Sequence, residues 1–343
     1  MKRGAALCAF AFFFFLFSIN GVFAQRGSKS QGSVIEVRLA SPMPRNSDWG
    51  RTLERIASEW ARVTNNEVRL RVLHDGVEGG DSKMLSSLSA DNIQAALFSS
   101  FGLAEICPAV MTLSVPFMIR DDAELGLVLK NALPILEGQI NKTNYVVVSW
   151  SRGGWVNVFS KEPVFVPDDL RRHKLATNPE SGAFNMAFKT MGFNLVEIDI
   201  SDIGPRLANN MVTACYQSPA AVVPYGLHKT LKYMMNKPLA PYLGALVVNR
   251  VTWNKISPDR QRELIAATQR IAGEFDALMP KIVDNAVAVM SKDGLKVNNI
   301  NPAQEEIWRT ELQKAMPSLL GPVFDRDLYQ RINVILEKSR SGQ

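Results

Sequence analysis

A chain of 343 residues with 46% apolar and 21% charged side chains can bury a core large enough for two lobes, which excludes a disordered or fibrous protein. Its formal charge of +6 comes from 39 Lys and Arg against 33 Asp and Glu. The bases are scattered; Arg171, Arg172 and Lys174 form the one cluster, no aromatic residues interleave it, and a solvated face rather than a nucleic-acid surface is expected.

Lys2 and Arg3 precede an apolar run over residues 5–19, and Val22, Phe23 and Ala24 place small residues before Gln25, so residues 1–24 read as a secretory signal peptide. Removing them takes two bases from 39 and no acid from 33, leaving a charge of +4. The run is shorter than the 18 or more apolar residues of a spanning helix. The chain is therefore expected to be exported, with an uncleaved N-terminal anchor as the alternative. Cys8 lies inside the signal, too early to be a lipid-attachment site. Cys107 and Cys215 lack metal-ligand spacing and read as buried free thiols, an oxidising compartment leaving a disulfide open.

Beyond a polar leader, residues 34–40 alternate as a strand that Pro42 and Pro44 break. Leu53, Ile56, Ala57, Trp60 and Ala61 recur at helical spacing behind Ser47 and Asp48 as caps. Val68, Leu70 and Val72 alternate with arginines, a loop carries Gly76, Gly79 and Gly80, and residues 93–98 form a buried strand. Strand alternating with helix implies a mostly parallel sheet, with ligands beyond the carboxyl ends of its strands. Phe101 stands in such a loop.

A helix follows over residues 123–140, then a strand over 145–150. In the stretch 165–178, Pro167, Asp168 and Leu170 mark a capped turn of helix and Lys174 to Thr177 a short inward strand. Residues 180–191 form a helix stopped by Gly192, and residues 194–198 a strand. Ser257, Pro258 and Asp259 start a helix of about 35 residues, roughly 50 Å long, in which Pro280 should cause a kink. Helices over 301–315 and 325–337 close the chain.

Catalytic patterns are missing. His74, His173 and His228 show no metal spacing, and there is no nucleophile elbow, phosphate loop or dinucleotide fingerprint, so no metal, no cofactor and no enzyme activity are expected.

The order and spacing of these blocks over residues 34–338 resemble the solute-binding P subunits of TRAP transporters. The likeness rests on the 165–178 stretch, Pro116 and Phe117, the Gly153, Gly154, Trp155 triplet, residues 207–219, and Asn249, Trp253 and Ile256 before the long helix. The resemblance implies an α/β, two-lobed periplasmic-binding-protein fold of mixed sheets, with the long helix crossing both lobes. It implies lobe I over 34–152 and 211–252, lobe II over 153–210 and 253–338, and the kinked helix 258–292 shared. In that family an arginine closes the 165–178 block and another follows the Gly, Gly, aromatic triplet, clamping an organic-acid ligand. This chain has Ala176 and Val156 at those places, and residues 209–214 lack the family's Gly, Asp and Gly. Those departures make it most similar to the branch that works with a periplasmic TPR protein. The expected function is capture of an apolar or amphipathic small ligand, with Phe101, Trp155, Val156, Ala176, Asn178, Tyr216 and Gln217 as binding residues, and delivery to the small and large TRAP membrane subunits. The alternatives are a secreted hydrolase on the same scaffold and an interaction protein that has lost ligand binding.

Overall fold

The computed structural model describes residues 34–179 and 182–342. The signal peptide read over residues 1–24, with Cys8, lies outside the described residues. No described helix is long and apolar enough to cross a membrane.

The elements run β1 (Ile35–Ala40), α1 (Asp48–Val63), β2 (Val68–Leu73), α2 (Asp81–Ser89), β3 (Ala95–Ser99), α3 (Ser100–Ile106), α4 (Asp122–Ile140) and β4 (Tyr145–Ser160). They continue through α5 (Pro167–Arg171), β5 (Lys174–Thr177), α6 (Gly182–Thr190), β6 (Asn194–Glu197), α7 (Ile200–Ala208), β7 (Ala214–Gln217) and α8 (Pro219–Val222). The last are β8 (Tyr233–Met235), β9 (Ala240–Asn249), α9 (Arg250–Trp253), α10 (Pro258–Lys292), β10 (Lys296–Asn298), α11 (Pro302–Leu319) and α12 (Arg326–Arg340).

Local chemistry explains the starts. Ser47 Oγ accepts from Gly50 N–H at the head of α1, and Asp121 caps α4 through Glu124 N–H. Ahead of α5, Asp169 Oδ2 accepts from the N–H groups of Phe165 (3.0 Å) and Val166 (3.2 Å), which fixes the turn before β5. The basic cluster beside it is tied up structurally: Arg171 pairs with Glu311 at 2.6 Å and Arg172 with Asp169 at 3.6 Å.

The strands follow the order β2-β1-β3-β9-β4-β7-β5-β6, with β8 on β4 and β10 on β8. The flanks are parallel, as alternation of strand and helix requires, but the centre is not: β9 is antiparallel to β3 and β4, and β4 is antiparallel to β7 and β8. The sheet is therefore mixed rather than mostly parallel. Its centre rests on β4, 16 residues long where the sequence marks only residues 145–150. Residues 145–156 of β4 pair with β9 and residues 157–160 with β7, so one strand serves both halves of the sheet. The register slips between Arg152 and Trp155, at Gly153 and Gly154, and Gly154 has φ +81°, a left-handed value that glycine adopts without strain.

Helix α10 spans both halves. Leu264, Ile271, Phe275 and Met279 pack in one core with Val37, Leu39 and Trp60, and Ala286 and Met290 in another with Phe159 and Leu207. Trp60 is fully buried, and its indole N–H donates to Thr268 Oγ1 at 2.8 Å, so α1 and α10 are joined without an unpaired donor. Pro280 sits within the helix and has no N–H for the carbonyl of Asp276. The strand pairings place β7 and β8, within the 211–252 segment, beside β5 and the second half of β4.

Candidate functional site

A cavity of about 290 Å³ opens where the two halves of the sheet meet. Residues at or just beyond the carboxyl-terminal ends of β1, β2, β3, β5, β6 and β7 supply much of its wall, as expected for an open α/β sheet. The strands β4 and β9 supply the floor through Gly153, Val156, Ala240 and Tyr242.

Of the seven residues singled out from the sequence, Phe101, Val156, Ala176, Asn178, Tyr216 and Gln217 line this cavity. Trp155 does not; its indole N–H donates to Asp122 Oδ1 at 3.1 Å. Ala176 is nearly sealed, 2% exposed, because β5 lies between β6 and β7 and pairs Ala176 with Val196 and Cys215.

The wall also holds residues that sequence reasoning missed. Phe184 and Phe188 stand one turn apart on α6, with ring centroids 4.9 Å apart. Phe184 meets Phe101 edge-on at 5.5 Å, and Phe188 stacks on Tyr216 at 5.6 Å. Their i, i+4 spacing was visible in the sequence, but it is the spacing of any core-facing helix stripe. Tyr242 and Tyr225 add phenols, the latter donating to Pro42 O at 2.8 Å. Burial pushes the phenols of Tyr216, Tyr225 and Tyr242 above their ordinary range, so each remains a neutral O–H.

The charged groups of the wall have one sign. Among the described residues it carries the carboxylates of Asp75, Asp81 and Asp199 and no Lys, Arg or His. Asp81 is buried and accepts from the Ser99 N–H at 3.2 Å and from Ser99 Oγ; burial nonetheless raises its pKa above the usual carboxylate range. The nearest candidate base along β4, Arg152, is committed elsewhere: its Nε and backbone N–H both reach the Asp276 carboxylate on α10, at 3.1 and 3.0 Å.

Nucleophilic chemistry has no assembled machinery among the described residues. His74 pairs with Glu54 at 2.8 Å, His173 with the Thr213 hydroxyl at 3.1 Å and His228 with Asp293 at 3.1 Å, and none lines the cavity. Cys107 and Cys215 are free and buried, and burial holds the Cys215 thiol at about 12, protonated at neutral pH.

The model of the bacterial extracellular solute-binding protein family 7, DctP, matches residues 39–320. The chain belongs to this family. Within it, the chain is 24% identical over 276 residues to the 2,3-diketo-L-gulonate-binding periplasmic protein YiaO of Escherichia coli, covering 79% of this chain and 81% of that one. Among solved structures, this DctP-family chain superposes with TM-score 0.81 on a TRAP periplasmic solute binding protein of Chromohalobacter salexigens with bound D-glucuronate, at 19% identity over 87% of this chain and 99% of that one. It superposes with TM-score 0.80 on one of Sulfurospirillum deleyianum with bound succinate, at 18% identity over 88% of this chain and 98% of that one. The fold is therefore the two-lobed α/β fold of TRAP periplasmic binding proteins.

Proposed function

We propose that this DctP-family protein is the periplasmic receptor of a TRAP-type secondary transporter, and that it captures an apolar or amphipathic ligand bearing no negative charge. Membership of the family and the acid ligands of similar structures support a role in solute capture. The single observation that carries the ligand class is the cavity wall, rich in aromatics and holding three carboxylates without one basic side chain among the described residues.

Magnitudes decide between the ligand classes. A ligand carboxylate about 6 Å from one wall carboxylate meets roughly 3 kcal/mol of repulsion at an effective dielectric constant of about 20, with no guanidinium to offset it. A charge-assisted hydrogen bond of the kind an arginine clamp supplies contributes about 1.5 to 3 kcal/mol, and Ala176 and Val156 supply none. Ten buried methylenes at about 0.8 kcal/mol each outweigh that loss and the several kcal/mol cost of association.

Phe101, Val156, Ala176, Asn178, Tyr216 and Gln217 form the binding wall in this reading, with Trp155 outside it as an anchor between β4 and α4. Residues 1–24 act as its export signal. Delivery is to the small and large membrane subunits, and the altered clamp positions support membership of the branch that works with a periplasmic TPR protein. The protein binds and releases its ligand unchanged.

Native mass spectrometry of the protein as purified, before and after solvent extraction, tests the reading, together with calorimetry of succinate, D-glucuronate and neutral long-chain amphiphiles. A co-purifying uncharged amphiphile and calorimetric silence with both acids are expected. Micromolar binding of either acid would overturn it.

A further inference from the structure

Behind the main cavity lies a second, smaller chamber of about 30 Å³. Its wall is wholly apolar: Trp308, Leu312, Leu319 and Phe324 close the back, and Ala187, Met191 and Phe193 the side. The one polar atom that Trp308 brings, its indole N–H, is already donated to Phe165 O at 2.9 Å. An apolar void of this kind stays dry.

The chamber is not an isolated packing defect. Pro116, Phe184, Phe188 and Leu239 line both it and the main cavity, so these four residues stand between the two spaces. Phe184 and Phe188, 4.9 Å apart and tilted by 51°, are the aromatic part of that partition. On their cavity side they pack on Tyr216, at 5.9 and 5.6 Å; on the chamber side Phe188 packs on Phe193 at 5.4 Å. Turning one of these rings is the smallest movement that would join the two spaces. Met191 on the chamber wall is the flexible kind of side chain that adapts to a variable occupant.

We infer that the chamber receives the far end of an unbranched alkyl chain whose remainder lies in the main cavity, so that the protein reads the length of its ligand as well as its lack of negative charge. This rests on the amphipathic-ligand reading and deepens it. The volume takes the last one or two carbons of a chain as it stands, about 10 to 15 Å³ being enough for one water-sized group. A branched, cyclic or bulky end does not pass between the two rings, and a polar end finds no partner beyond them. Chain-length selectivity thus arises at the chamber, while the carboxylate-bearing wall of the main cavity acts on the head.

The test is a series of straight-chain 1-alkanols of graded length, measured by calorimetry against the wild-type protein, Leu312→Ala and Ala187→Phe, with folding of each checked by thermal melt. In the wild type, affinity should rise about fourfold per added methylene up to a limiting length and then level off. Leu312→Ala enlarges the chamber and should move that limit about two carbons longer; Ala187→Phe fills it and should move the limit shorter. If Ala187→Phe does not fold, Leu312→Ala alone decides. Alkanols that bind with the same limiting length in all folded proteins overturn the chamber and leave the amphipathic-ligand reading standing. Alkanols that bind none of the proteins at any length overturn both.

Discussion

The ring of Tyr216 stacks on that of Phe188, with centroids 5.6 Å apart and planes 10° from parallel, and its buried hydroxyl has no hydrogen-bond partner among the described residues. An unpaired buried hydroxyl costs about 1 to 3 kcal/mol, so a ligand polar group is the natural acceptor or donor for it. Tyr216→Phe keeps the stack and removes the unpaired group. The ligand-free variant should be as stable as the wild type or up to about 1 kcal/mol more so, while its affinity for a hydroxyl-bearing amphiphile should fall about fivefold. A urea titration in which the variant loses more than 1 kcal/mol would mean that the hydroxyl is already satisfied, and would remove it from the binding wall.

Ala176, 2% exposed between β6 and β7, stands where the family resemblance puts a clamping arginine. Ala176→Arg places a guanidinium on β5 between Val196 of β6 and Cys215 of β7, within a cluster of buried apolar side chains. An uncompensated buried charge costs about 3 to 5 kcal/mol, so the melting temperature should drop by several degrees and no affinity for succinate should appear. A variant that melts like the wild type would show that the side chain escapes to water. One that gains micromolar affinity for succinate would show that a single arginine restores the acid site, against the charge argument made for this wall.

The Asp276 carboxylate lies half-buried against Arg152, and burial raises its pKa even with that partner in place. A raised folded-state pKa means that the group favours the folded protein most below its unfolded value near 4, and that this contribution is lost as pH rises through the folded value. Arg152→Ala removes the cation that offsets the loss. The variant should be nearly as stable as the wild type at pH 4 and about 1 to 3 kcal/mol less stable at pH 7, discounted from a fully buried pair because Arg152 is 34% exposed. Urea melts at the two pH values check it, and a deficit that is the same at both would mean that the guanidinium acts through packing alone.

Strong local signals made much of the architecture legible. Ser47 and Asp121 cap the helices that their spacing announces, β5 covers Lys174–Thr177 as expected, and the 35-residue α10 runs from Pro258 to Lys292. Where reading failed, two physical signals conflicted. The strand read from the sequence stops at residue 150, yet β4 continues through Gly153 and Gly154 as a bulge, because Gly153 must leave room for the Tyr242 ring and Gly154 takes a left-handed φ. Gly204 and Pro205 hid α7, where the proline stands inside the helix and tertiary packing of Ile203 and Leu207 overrides propensity. Phe101 could be read because it follows a strand end, and the other wall residues because their blocks resemble the family's ligand blocks; Asp75, Asp199 and the Phe184–Phe188 pair look like ordinary surface and core until the fold brings them to one cavity.

The bulge in β4 and the proline in α10 lie side by side, and this adjacency predicts where the two lobes move. A Cβ on Gly154 would stand 3.2 Å from Val283 Cγ2 and 3.5 Å from Met279 Cγ, the residues on either side of Pro280. Both elements that cross between the halves of the sheet are thus weakened at one level: the strand by a register slip, the helix by the missing hydrogen bond to Asp276 O. A hinge needs only a few such residues to absorb the change in backbone angles. Small-angle scattering should show a smaller radius of gyration with a saturating amphiphile than without. Pro280→Ala restores the missing hydrogen bond and should stabilise the helix while reducing that difference; Gly154→Ala, forced to a positive φ, should cost about 1 to 2 kcal/mol. A scattering profile that does not change on ligand saturation would refute the hinge, and a change equally large in Pro280→Ala would place it elsewhere in the chain.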